Sequence, residues 1–92
     1  MLFRSNDYKL FANTPNPFNP TTTFHYQLPE RQFVTLRIYN LQGTPIATLV
    51  QEEQTAGNYQ LLFNASHVPS GTYLYELRAG DFIERRKFCL LK

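Results

Sequence analysis

The chain has 92 residues, of which 42% are hydrophobic, 15% aromatic and 17% charged. This length allows one domain and leaves no room for two lobes around a cleft, which argues against a large cofactor-binding enzyme. Nine Lys and Arg residues against seven Asp and Glu residues give a formal charge of +2. So small an excess provides no electrostatic argument for nucleic-acid or membrane binding.

Short apolar–polar alternation, bounded by Pro, Gly, Asn and Asp, recurs along the chain and predicts β-strands throughout. No helical period persists for more than one or two turns. We expect a short strand near Leu10, followed by strands at Thr21–Leu28, 33–40, 45–50, 58–63, 72–79 and 82–91.

The segments between these strands carry typical turn residues. Gly43 is free to take a positive φ, and Gly80-Asp81 predicts a tight hairpin between two alternating runs. Residues 51–54 are interpreted as a polar link, and residues 64–70 as either an irregular connection or a single helical turn.

About seven short strands at spacings of roughly 8–12 residues predict an all-β fold, an immunoglobulin-like sandwich of two antiparallel sheets. The chain has no tryptophan and one cysteine, so Tyr and Phe must fill the centre of the core instead of the usual disulfide and tryptophan. The alternation places the following side chains in the core: Phe24, Tyr26, Leu28, Val34, Leu36, Ile38, Leu61, Phe63, Tyr73, Tyr75, Leu77, Phe88 and Leu90.

The residues that carry chemistry are few and scattered. His25, His67 and Cys89 are the only soft metal ligands, and none forms the close pair that a structural zinc site needs. The adjacent Ser66 and His67 are interpreted as part of a polar turn, since a catalytic triad requires a third orienting group. No glycine-rich phosphate loop occurs. We therefore predict no catalytic residue, no metal, no cofactor and no enzymatic activity.

No stretch approaches the roughly 20 apolar residues of a membrane-spanning helix. The N-terminus also lacks the basic-then-apolar pattern of a signal peptide. If the domain is exported, we expect its signal to lie elsewhere, on a longer parent polypeptide.

The one local basic cluster is Arg85-Arg86-Lys87. Consecutive strand residues point to opposite sides, so these three do not form one continuous patch. Two interpretations remain open. The charges either protect an edge strand from unwanted strand addition or contribute to recognition by a partner.

Residues 13–24 contain three closely spaced prolines among asparagines, in the order Asn-Thr-Pro-Asn-Pro-Phe-Asn-Pro-Thr-Thr-Thr-Phe. This run resembles the opening motif of the C-terminal sorting domains of type IX secretion, which belong to exported proteins of Bacteroidetes and related bacteria. The motif positions within it are Asn16, Pro17, Phe18, Asn19 and Pro20.

Later segments resemble the same family, in the same order. Gly43 stands where the family has its turn glycine. Residues 69–75, which include Gly71 and Tyr73, resemble the family's Ser-Gly-Val-Tyr-Phe-Tyr segment. Residues 86–92 resemble its terminal Arg-Lys-Leu-Val-Leu-Leu-Lys.

The resemblance covers roughly residues 10–92, with two departures from the family pattern. Phe63 replaces the usual tryptophan, and Cys89 replaces the usual valine. Gly71 is interpreted as marking a turn where a side chain would obstruct the chain. We expect residues 10–92 to form the immunoglobulin-like sorting domain and residues 1–9 to be a linker or tail from a larger parent protein.

The resemblance implies an export address at the end of a larger cargo protein. The type IX outer-membrane translocon would recognise the domain, and a sorting-domain-processing peptidase would remove it. The cargo would cross the periplasm and reach the outer-membrane surface or the medium. We expect no nucleic acid among the partners of the domain. The alternative is a structural immunoglobulin-like module of a surface or flagellar hook-assembly protein, because hook-capping proteins contain a related domain.

The family's final strand is implicated in recognition, so the expected partner-recognition residues are Arg86, Lys87, Leu91 and Lys92. Alternation turns Lys87 and Leu91 away from the core. Arg86 shares the inward parity of Phe88, and a bulge or the emergence of the strand from the sandwich is expected to free its charge.

Overall fold

The computed structural model describes residues 7–92, which form seven β-strands and no helix. The strands are β1 (Lys9–Leu10), β2 (Thr21–Leu28), β3 (Gln32–Tyr39), β4 (Pro45–Gln54), β5 (Gly57–Asn64), β6 (Gly71–Ala79) and β7 (Phe82–Leu90).

The strands form two sheets, one of three strands in the order β1-β2-β5 and one of four strands in the order β4-β3-β6-β7. All strand pairs within the sheets are antiparallel. This arrangement confirms the predicted all-β, immunoglobulin-like sandwich. The molecule is elongated, with principal extents of 47 × 22 × 18 Å.

The inward faces of the strands form one core, as the alternation predicts. In β2 every second residue is buried, and β3 repeats this pattern from Val34 onward. Every predicted core residue is buried except Leu61, which is partly buried and packs against the core. Leu61 lies in β5, an edge strand with a neighbour on one side only, so fewer side chains cover it.

Aromatic rings occupy the centre of the core. Phe88 is almost completely buried, and its ring centroid lies 5.3 Å from Phe18, 5.8 Å from Phe24, 5.6 Å from Tyr73 and 5.9 Å from Tyr75. These separations fall in the range of favourable aromatic pairs. Aromatic rings therefore fill the centre of the core, as the sequence predicts.

β4 is longer than the sequence predicts, because the supposed polar link at residues 51–54 continues the strand. Glu52 and Glu53 pair with Val34 and Phe33 of β3, and the Tyr26 hydroxyl donates to Gln54 Oε1 at 2.5 Å. Pairing with a full-length neighbour satisfies the backbone of these residues, which outweighs their weak preference for strands.

The connection before β6 contains a hydrogen-bonded turn and not a helical segment. The Val68 amide donates to the Ala65 carbonyl at 3.0 Å, and the Asn64 Oδ1 accepts from the Ser66 amide at 2.9 Å. The short side chain of Asn64 thus replaces the backbone pairing that ends with β5.

Gly43 and Gly71 are among the four glycines with a positive φ, a conformation that other residues avoid. Gly43 has a φ of 89°, as predicted for the β3–β4 turn. The prediction that a side chain at position 71 would obstruct the chain is wrong. A Cβ on Gly71 would meet only a Tyr73 ring carbon at 3.8 Å, an ordinary contact. The φ of 152° at Gly71 is what favours glycine at this position.

A buried carboxylate lies on the outer face of the four-stranded sheet. Glu76 is only 1% exposed. Its Oε1 lies 3.0 Å from Arg78 Nε and accepts from the Tyr39 hydroxyl at 3.2 Å, and its Oε2 lies 2.7 Å from Arg85 Nε. Burial alone would raise the pKa of Glu76, but the hydrogen bonds and charges of Arg78 and Arg85 lower it below its ordinary value.

Replacing Phe63 with Ala should lower the free energy of unfolding by about 3–5 kcal/mol, the range for deleting a core aromatic residue. The adjacent Leu62, which is 69% exposed on the other face of β5, provides the control. Leu62→Ala should cost less than about 0.5 kcal/mol in the same urea denaturation measurement. Equal losses for the two variants would contradict the register of β5.

The carboxylate of Glu76 should make stability depend on pH in acid. Its pKa is lower in the folded chain than its ordinary value of 4.5, so its contribution is complete above that value and is lost as pH falls through the folded pKa. Urea denaturation of the wild type and of Glu76→Gln should show a stability difference that is constant near neutral pH and narrows in acid. A difference that stays constant down to about pH 2 would contradict this assignment.

Candidate functional site

The motif at residues 13–20 and the end of the chain meet at one end of the sandwich. The motif leads into β2, whose first residue pairs with the last residue of β5. The Ala65 amide donates to the Pro20 carbonyl at 2.8 Å, which brings the β5–β6 connection to the same end. β7 also finishes here, because Leu90 pairs with Gly71 at the start of β6.

A buried tyrosine holds the chain that enters the motif. The Tyr75 hydroxyl donates to the Phe11 carbonyl at 2.8 Å and accepts from the Asn13 amide at 3.0 Å. Burial raises the pKa of this hydroxyl above its ordinary value of 10.0, so it remains a donor further into alkaline pH than an exposed tyrosine does. Both backbone groups therefore have a partner inside the sandwich.

Asn13 and Thr22 shape the turn that follows, and the sequence analysis did not identify either residue. Both are buried. Asn13 Nδ2 donates to Thr22 Oγ1 at 3.1 Å and to the Pro15 carbonyl at 3.2 Å, while the Thr22 hydroxyl donates to the same carbonyl at 2.8 Å. Thr22 has the same inward parity as Phe24. A polar residue at an inward position of β2 was the sequence signal that could have indicated its buried hydrogen bonds.

At Phe18 the motif changes sheets and pairs with the last strand. The Phe18 amide donates to the Cys89 carbonyl at 3.1 Å, and the Leu91 amide donates to the Phe18 carbonyl at 3.0 Å. Asn16 Oδ1 accepts from the Cys89 amide at 2.9 Å. The Phe18 side chain is buried, so backbone and side chain together join the two ends of the domain.

The two segments enclose a shallow groove of 490 Å³, lined by Pro15, Pro17, Phe18, Asn19, Leu91 and Lys92. We call it the terminal groove. Leu91 contributes an apolar side chain that is 53% exposed. The Lys92 amide donates to Ser70 Oγ at 3.1 Å, and Lys92 Nζ donates to the Ser66 carbonyl at 2.8 Å. These bonds fix the last residue against the β5–β6 connection.

The remaining predicted recognition residues lie along β7. Lys87 is exposed and pairs in register with Leu74. The Arg86 side chain is 41% exposed. Its Nε donates to the Leu10 carbonyl at 2.9 Å and lies 3.4 Å from the Glu84 carboxylate. The register between β6 and β7 is continuous at Arg86. The charge is therefore accommodated at the opening between the sheets, without a bulge.

The other motif positions support this end of the molecule to different degrees. The Tyr73 hydroxyl donates to the Pro69 carbonyl at 2.5 Å, and the Tyr73 ring stacks on Phe88. Gly71 allows β6 to begin beside Leu90. Gly43 shapes the β3–β4 turn and does not line the terminal groove.

The pairing of Phe18 also affects the exposed edge of β7. The outward backbone groups of Cys89 and of the Leu91 amide already have partners in the motif. A receptor strand could pair at this position only by displacing residues 16–18. The backbone groups of Lys87, two residues before Cys89, point to the same outer edge of β7, because hydrogen-bonding direction alternates along a strand. The motif does not extend as far as Lys87.

Within residues 7–92, no group of three or more His, Cys, Asp or Glu side chains is placed to hold a metal ion. The Ser66 hydroxyl donates to Asn64 Oδ1, and His25 stacks on Phe11. The same residues include no helix that is long and apolar enough to cross a membrane.

Comparison with known protein families gives a match over most of the chain. The family model described as the secretion system C-terminal sorting domain matches residues 14–90. The matched segment contains the motif apart from Asn13, strands β2 to β7 and most of the walls of the terminal groove. No curated protein matches the chain.

Proposed function

The chain belongs to the family of type IX secretion system C-terminal sorting domains, and we propose that it directs a larger cargo protein through the type IX outer-membrane translocon. The match over residues 14–90 carries this proposal. A sorting domain is a signal carried by an exported protein, and the family is not an enzyme family. In our proposal the cargo crosses the periplasm and reaches the cell surface or the medium.

The terminal groove is the surface that we assign to recognition. It presents the exposed side chains of Leu91 and Lys92 on a chain end whose backbone is already hydrogen bonded to Phe18 and Ser70. A partner that binds a fixed segment loses less conformational entropy than one that must order a free tail. This supports recognition of a preformed surface.

Lys87 extends the recognition surface along the outer face of the four-stranded sheet. Arg86 supports it differently, because its Nε bonds to the Leu10 carbonyl and holds β1 near β7. We therefore propose Lys87, Leu91 and Lys92 as the side chains that a partner contacts, and Arg86 as the residue that holds their strand in place.

The export role also implies how the chain is divided between the sorting domain and its connection to the cargo. We propose that residues 10–92 form the sorting domain and that residues 1–9 belong to the connection with the cargo. Tyr8 stacks on Phe82 with ring centroids 5.2 Å apart, where this connection would meet the sandwich. The sorting-domain-processing peptidase would act on the connection after transport.

The export role is tested with a reporter protein fused to the N-terminus of this chain behind a periplasmic signal peptide. In a host with an active type IX translocon, the reporter should reach the surface or the medium. In the same host without the translocon, it should accumulate in the periplasm. Equal distributions in the two hosts would contradict the export role and favour a structural module.

The recognition residues are tested with the fusion carrying Lys87→Ser, Leu91→Ser and Lys92→Ser. This reporter should accumulate in the periplasm, because the changes remove exposed contacts without touching the core. The control carries Arg31→Ser, Arg37→Ser and Leu62→Ser, which alter two cations and one exposed leucine outside the terminal groove. Thermal melting of both isolated variants must show a folded domain. Normal delivery of the folded first variant would exclude these side chains as the address.

A further inference from the structure

A second concave surface lies on the outer face of the four-stranded sheet, away from the terminal groove. It is a depression of 340 Å³ lined by Gln32, Phe33, Thr35, Arg37, Arg78 and Gly80. Its residues come from β3, from the end of β6 and from the turn that follows β6, whereas the terminal groove lies beside the start of β6. We call it the arginine depression.

An unpartnered hydroxyl lies at the arginine depression. Thr35 Oγ1 is buried and has no hydrogen-bond partner among residues 7–92. A buried hydroxyl without a partner is costly, and such groups usually bind another polar group or a ligand. Thr35 in β3 pairs in register with Arg78 in β6. The residue directly opposite Thr35 on the neighbouring strand therefore carries a guanidinium group.

The two arginines of the depression retain donors for a ligand. Arg78 Nε bonds to Glu76 Oε1 at 3.0 Å, and Arg37 Nε donates to Thr48 Oγ1 at 3.4 Å. Among the described residues, these bonds use only the Nε atom of each side chain. The terminal guanidinium nitrogens are the atoms that typically bind carboxylate or phosphate oxygens in pairs.

The carboxylates on this face do not cancel the positive charge. Glu76 is shared between Arg78 and Arg85, so one carboxylate faces two guanidinium groups. Glu53 at the neighbouring position of β4 is paired with Arg31 at 2.6 Å. The surroundings of the depression therefore favour an anion.

The rim of the depression is apolar, because the Phe33 side chain is 50% exposed there. We propose that the arginine depression binds a carboxylate or phosphate group attached to a ring-sized apolar body. The anionic group accepts hydrogen bonds from the terminal guanidinium nitrogens of Arg37 and Arg78, and from the Thr35 hydroxyl once this side chain rotates out of its buried position. The apolar body covers Phe33. This site contains none of the residues assigned to the export address and does not depend on that role.

The proposal is tested by titrating the isotope-labelled full chain with phenyl phosphate and with phenylacetate, followed by NMR. Saturable shifts of the Thr35, Arg37 and Arg78 amides should appear with one or both probes, and the tighter probe identifies the preferred anion. Inorganic phosphate should bind more weakly than phenyl phosphate, because it cannot cover Phe33. The absence of saturable shifts with both phenyl probes would overturn the proposal.

Three variants separate a specific site from general charge attraction. Arg78→Gln should weaken binding about tenfold, the effect of one charge-assisted hydrogen bond. Thr35→Val should also weaken it, without a change in charge. Arg85→Gln is the matched control, because it removes the same charge and a bond to the same Glu76, yet Arg85 does not line the depression. Equal weakening by Arg78→Gln and Arg85→Gln would overturn the site.

Discussion

The pairing of Phe18 with the last strand is the interaction on which the rest of the terminal groove depends. An exposed edge strand offers unpaired backbone groups that favour unwanted association. Here the Phe18 amide and carbonyl, together with the Asn16 side chain, bind those groups at Cys89 and Leu91. The beginning of the matched family segment is thereby joined to its end, although the two are more than 70 residues apart in sequence.

The core makes this pairing possible without a disulfide. Phe18 packs against Phe88, which in turn packs against rings from both sheets. Tyr75 adds hydrogen bonds to the backbone on the entry side of the motif. Core packing thus determines where Leu91 and Lys92, two of the proposed recognition residues, are presented.

The sequence was sufficient for the strands and for most of the core, because a period of two depends only on neighbouring residues. It did not predict that Glu52 and Glu53 continue β4, since that pairing depends on the length of β3. Nor did it predict the roles of Asn13 and Thr22, or the burial of Glu76 beneath Arg78 and Arg85. These depend on contacts between strands, on which local alternation carries no information.

Hydrogen exchange of single backbone amides in the folded chain tests the central claim most directly. The Cys89 and Leu91 amides bond to the motif, whereas the Lys87 amide lies on the same edge of β7 beyond its reach. The pairing predicts strong protection of Cys89 and Leu91 and exchange of Lys87 at nearly the rate of an open amide. If Cys89 and Leu91 exchange as fast as Lys87, the motif does not hold the last strand, and the terminal groove is not a preformed surface.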